Sequence, residues 1–143
     1  LQLRFWAWRH DAYAGPRPHV RLFVKYFAPD GNPRLAHSVG LQQGLLGVVN
    51  VFASTHMETE NNIVITHELL HTFGATDKYD LTTNLPQFPD GYAQPDARPR
   101  YPQSKAEIMA GRIPFSASQT DVPRGFEQVM MGAKTAREIS WLR

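Results

Sequence analysis

The 143-residue chain has no cysteine, no block of like charge and no long apolar run. Without cysteine there is no disulfide, no thiolate metal site and no thiol nucleophile. The compartment stays open, because many exported bacterial proteins also lack cysteine. Fifteen Lys and Arg against thirteen Asp and Glu leave a formal charge of +2, with no basic stripe to hold a nucleic acid or an anionic membrane surface. No stretch approaches the ~20 apolar residues that span a bilayer, and the amino end lacks the basic, apolar and small-residue order of an export signal. This domain is therefore expected to contact neither nucleic acid nor membrane, and to be a monomer. One domain over 1–143 suffices, since a chain of this size buries roughly two thirds of its unfolded surface. Beginning at Leu1 and not at Met, it is expected to be a fragment of a longer bacterial precursor. An extracytoplasmic location, secreted, periplasmic or anchored, would follow if an export signal has been removed; a cytoplasmic one fits the composition as well.

What the chain does have is the stretch His67 to Asp77, HELLHTFGATD. His67 and His71 are four apart, so on a helix both imidazoles project from one face about one turn apart, where they can meet one metal ion. Glu68 is offset by about 100°, which sets its carboxylate beside an open coordination position, where a general base belongs. Gly74, free to take positive φ, ends the helix and reverses the chain, and Asp77 returns as the third ligand. His10, His19, His37 and His56 have no ligand spacing and read as surface or packing residues.

This HExxHxxGxxD stretch resembles the metzincin consensus with aspartate in place of its third histidine, as in the snapalysin-like branch of small bacterial zinc endopeptidases. Glu107-Ile108-Met109-Ala110-Gly111 resembles the Met-turn that lies under the metal in that family. The two motifs cover some fifteen residues. The resemblance implies a zincin-like fold, one zinc ion, hydrolysis of a polypeptide substrate, and a role for Met109 beneath the metal. It also implies that Arg112 to Phe115 walls the first primed-side pocket, with Ile113 and Phe115 receiving an apolar side chain. Metzincins sometimes carry an oxyanion-stabilising tyrosine near the Met-turn, but here Ala110 and Gly111 follow Met109. Tyr79 and Tyr101 are the candidates for that role.

The remaining pattern predicts an α+β domain, a twisted mixed sheet packed on one long active-site helix. Leu1–Arg9 and Val20–Phe27 alternate apolar and polar residues and are expected as neighbouring strands, with a turn at Pro29–Pro33. Leu35–Leu41 is a short strand, and Leu45–Ala53 a buried or edge strand. Thr55 and Glu58 fit a capping box for a helix from about His56 to Phe73, largely covered by neighbours. Residues 78–104 form a long Pro-rich loop, in which Asp80, Asn84 and Asp90 offer oxygens to a structural calcium ion. Thr135 and Glu138 fit a second capping box, opening a short C-terminal helix with Ile139 and Leu142.

Two competitors accompany the endopeptidase reading. Glu107, Glu127 or Glu138 would replace Asp77 if the third ligand came from a second element. Alternatively, the domain is an inactive zinc-binding module that holds a protein partner. Glu68 argues against the module, because a structural site fills its fourth position with a protein ligand and needs no such carboxylate.

Overall fold

A computed structural model describes residues 5, 8, 9, 15, 19–30, 35–42 and 45–143. Most of the strand expected over Leu1–Arg9, its pairing with the next strand, and His10 lie outside them. Phe5, Trp8 and Arg9 are helical and not extended. The Phe5 and Trp8 rings, three positions apart, meet at 5.9 Å, whereas alternation along a strand would send them to opposite faces.

Three strands form the main sheet: β1 (Arg21–Phe27), β2 (Val39–Leu41) and β3 (Leu46–Phe52), in the order β1-β3-β2. β3 runs parallel to β1 and antiparallel to β2, so it is central and paired on both sides. Its alternate residues Gly47, Val49 and Val51 are buried, as the period of a strand with one covered face requires. Against this sheet packs helix α1 (Glu58–Thr72). Asn61 joins the two layers, its Oδ1 accepting from the Phe52 amide at 3.2 Å and its Nδ2 donating to the Phe52 carbonyl at 2.7 Å. A helix side chain thereby completes the strand's hydrogen bonding where β3 ends.

The capping box expected at Thr55 and Glu58 does not form. A single 3-10 turn, Thr55–Met57, precedes α1, and no side chain caps either start. Nor is α1 covered all round, for Val64 and Phe73 are exposed. Its C-terminus follows the pattern read from Gly74. With φ of 101° there, the Gly74 amide bonds to the His71 carbonyl and the Ala75 amide to that of Leu70, the paired bonds of a Schellman end.

The second half is held by short pairings. β4 (Ala106–Glu107) runs parallel to β7 (Val129–Met130), and β5 (Ile113–Pro114) pairs antiparallel with β6 (Thr120–Asp121). Helix α2 (Ala133–Glu138) follows. Its N-cap is Gly132, three residues before the expected one, and Thr135 and Glu138 bond elsewhere. Ile63, Leu70 and Ala75 pack with Ile108 and Met109 to form the core under α1, flanked by Val129, Met131 and Ile139. Leu142 stays exposed. The long loop is ordered by its own side chains: Gln103 bonds both backbone groups of Gln94, and the Tyr92 and Tyr101 hydroxyls meet at 2.7 Å. Asp80 closes its own turn on Thr82 and Thr83. Among the described residues no group of three His, Asp or Glu side chains gathers there to hold calcium. The architecture is α+β, a helix packed on small mixed sheets, and no helix among the described residues is long and apolar enough to cross a membrane.

Candidate metal centre

The i, i+4 spacing on α1 brings His67 and His71 together as expected, with ring centroids 4.7 Å apart. Each ring is oriented through Nδ1. His67 Nδ1 lies 2.9 Å from the Ile108 carbonyl, and His71 Nδ1 lies 2.8 Å from the Ala75 carbonyl. A carbonyl oxygen only accepts, so both Nδ1 atoms carry the hydrogen, and in a neutral ring Nε2 is left as a bare lone pair.

The two Nε2 atoms face each other at 3.1 Å, and Asp77 Oδ1 lies 3.1 Å from one and 3.3 Å from the other. Three acceptors thus converge with no hydrogen of their own to place between them. A proton relieves one edge of that triangle at a time, whereas a metal cation relieves all three. The titration behaviour follows the same electrostatics. Burial by itself would lower the His71 pKa, but the bond to Asp77, the Ala75 carbonyl and the charges of Asp77 and Glu68 outweigh it and raise the value. Burial would raise Asp77, yet the hydrogen bonds and charges that both histidines offer once protonated hold it well below the ordinary carboxylate range.

Glu68 is buried beside this triangle, its carboxylate within 4.8 Å of the histidine nitrogens, and His67, Glu68 and His71 form a group that can hold a metal ion. Of the two carboxylates, Asp77 makes the shorter approach to both rings. Among the described residues Glu68 Oε2 has no hydrogen-bond partner, and burial raises the pKa of Glu68 against the lowering influence of His67 and His71. A buried carboxylate oxygen without a donor is costly, so it marks a place shaped for a ligand.

Asp77 reaches the triangle because both neighbours are tied to α2. Glu138 accepts from the Thr76 amide at 2.9 Å and the Thr76 hydroxyl at 3.0 Å, and its Oε2 meets Lys78 Nζ at 2.7 Å. Glu138 is therefore occupied as a clamp and is not a ligand. Glu107 is likewise bonded within the core, to Met109, Ala110, Gly132 and Thr135, and Glu127 is exposed and outside the group. Neither of these roles was legible from the sequence, where both residues read as competing ligands. Met109 is fully buried beneath α1, in a turn closed by the Ala110 and Gly111 amides on the Glu107 carbonyl.

The triangle floors a cleft lined by His37, Gly40, Tyr79, Leu81 and Asn84. His37, read from the sequence as a surface residue, stands at its rim. Tyr79 is close, its ring centroid 6.5 Å from that of His67, while Tyr101 is engaged with Tyr92 in the loop. Beyond Glu68 opens an apolar cleft of about 310 Å³, lined by Ile63, Val64, Ile108, Gly111, Val122 and Pro123. Ile113 and Phe115 are not among these residues. Ile113 is buried in β5, and Phe115 stands over a separate groove with Arg112, Leu85 and Thr120. The β5–β6 hairpin turns the chain back, so that Val122 and Pro123 supply the wall instead. No protein-family model, curated protein or solved structure matches this chain.

Proposed function

We propose that this domain is a zinc-dependent endopeptidase of zincin-like fold, with His67, His71 and Asp77 as ligands and Glu68 as general base. The observation that carries the reading is the triangle of three acceptors beside a buried carboxylate, one of whose oxygens, Glu68 Oε2, has no partner among the described residues. Zinc fits it: an ion with bonds of about 2.0–2.1 Å and tetrahedral angles separates its ligand atoms by about 3.3–3.4 Å, close to the 3.1 to 3.3 Å edges found here. Two nitrogens and one oxygen are also a donor set that zinc accepts, with one position left for substrate. When bound, the ion supplies Lewis acidity that polarises a peptide carbonyl and acidifies a water.

Glu68 takes the proton of that water at Oε2 and returns it to the departing amine, a task suited to a carboxylate whose pKa is raised by burial. Tyr79 keeps its hydroxyl proton, since burial and the charges of Asp77 and Glu68 raise its pKa, and it can donate to an oxygen that gains charge. The peptide lies along β2, because β3 is paired on both sides while β2 is paired on one side only among the described residues. One apolar side chain next to the cut enters the cleft between Val64 and Val122.

The test pairs Glu68→Ala with the parent, measuring zinc content and hydrolysis of casein and a peptide library. The variant is expected to keep zinc and lose cleavage by about 10²–10⁴-fold. Equal cleavage would remove Glu68 from the chemistry. A parent that binds zinc and cleaves nothing would favour the partner-binding module.

A further inference from the structure

We propose that Glu107 is the positioning residue of the metal centre, acting through the turn it begins to aim the carbonyl that orients His67. The inference rests on the metal-site reading above. Glu107 is fully buried, and no Lys, Arg or His pairs with it among the described residues. A buried carboxylate without a cation is tolerated only when donors fill its oxygens, and here four do. Oε2 accepts from the Met109 amide at 2.6 Å and the Ala110 amide at 3.1 Å. Oε1 accepts from the Gly132 amide at 3.1 Å and the Thr135 hydroxyl at 2.6 Å.

The peptide plane turns these bonds into an aiming device. The Met109 amide and the Ile108 carbonyl belong to one peptide unit, which is planar and trans, so they point in opposite directions. With the N–H drawn onto Glu107, the carbonyl must face away, and it meets His67 Nδ1 at 2.9 Å. The next unit repeats the relation. Its N–H, on Ala110, also bonds Glu107, and its carbonyl, on Met109, accepts the Lys78 amide at 3.0 Å, beside Asp77. Two ligands of the triangle are therefore referenced to one carboxylate. A core-filling role alone would be met by an apolar side chain of similar volume. The arrangement of four donors is accounted for by the two carbonyls it directs.

Glu107→Gln has nearly the same shape, but its amide NH₂ must face two donors whichever way it is turned. Thr135→Val removes one donor and Thr135→Ser keeps it. Two readouts follow each variant: imidazole nitrogen NMR of the metal-free protein, which reports the His67 tautomer, and titration with zinc. The parent is expected to show His67 in the single Nδ1–H tautomer. Glu107→Gln should exchange between tautomers and bind zinc roughly 10–100-fold more weakly. Thr135→Val should shift both readouts the same way by a smaller factor, and Thr135→Ser should restore them. The proposal is overturned if a folded Glu107→Gln, or Thr135→Val should the former not fold, leaves both readouts at the parent's values. A His67 tautomer that responds to Glu107 in a parent that binds no zinc would uphold the positioning role and overturn the metal reading instead.

Discussion

Glu68 holds a carboxylate oxygen in the interior with nothing to bond to it, a local cost that a residue kept only for stability would not carry. Its pKa is raised by burial, so ionised Glu68 opposes folding. The sign is that of a raised carboxylate: the cost is absent below the unfolded value near 4.5, grows as pH rises, and is complete above the folded value. Glu68→Gln should therefore stabilise the metal-free protein at neutral pH by about 1 kcal/mol, with the gain fading in acid. Urea unfolding at several pH values checks this, and a variant equally or less stable at neutral pH would count against the orphaned carboxylate. His67, His71 and Asp77 were legible in the sequence, because a four-residue spacing and a glycine turn fix their geometry locally. Glu107 and Glu138 were not. Besides the neighbouring Met109 and Ala110 amides, Glu107 bonds Gly132 and Thr135, 25 and 28 positions away, and Glu138 bonds residues 60 and 62 positions away; no local pattern encodes these distant bonds.

Helix α1 and the sheet meet closely at Gly40, where an added Cβ would stand 2.3 Å from the Glu68 carbonyl and 2.8 Å from His71 Cβ. Gly40→Ala must push β2 off the helix at the point where the edge proposed for substrate borders the His67, His71 and Asp77 triangle. A loss of about 1–3 kcal/mol in stability is expected, together with a rise in KM for extended peptides; an unchanged urea midpoint and KM would show that β2 is not packed there. β1 was readable from its alternation and β3 from a short apolar run between turn residues; β3 buries alternate residues, whereas no residue of β1 is fully buried and Tyr26 is exposed. Both capping boxes misled for one reason. Thr55 lies inside a 3-10 turn whose N-cap is Ser54, and Thr135 and Glu138 are taken by the tertiary partners Glu107, Thr76 and Lys78, so in neither case is the expected cap residue at a helix start. Ile113 and Phe115 were placed by position after the Met-turn, which cannot register the β5–β6 hairpin that brings Val122 and Pro123 to the cleft instead.

Across the whole molecule, α2 braces the centre from the carboxyl end, with Thr135 bonded to Glu107 and Glu138 to Thr76 and Lys78 on either side of Asp77. Glu138 would be raised by burial, but Lys78 and Thr76 hold its pKa below the usual range. Its contribution is then fully present above the unfolded value near 4.5 and is lost as pH falls through the depressed folded value. Glu138→Gln should cost about 1 kcal/mol at pH 7, because solvent screens part of the charge interaction, and the gap from the parent should close as pH falls through the depressed folded value. A gap that persisted in acid would mean that the loss is one of packing and not of charge.

The convergence of His67, His71 and Asp77 on one metal ion is tested most directly by calorimetric titration of zinc into metal-free parent and Asp77→Ala proteins. The parent is expected to bind about one zinc per chain, and the variant, missing a ligand and not merely an outer partner, to bind more than about 100-fold more weakly. A parent that takes up no stoichiometric zinc, or an Asp77→Ala protein that binds it as tightly as the parent, would contradict the account.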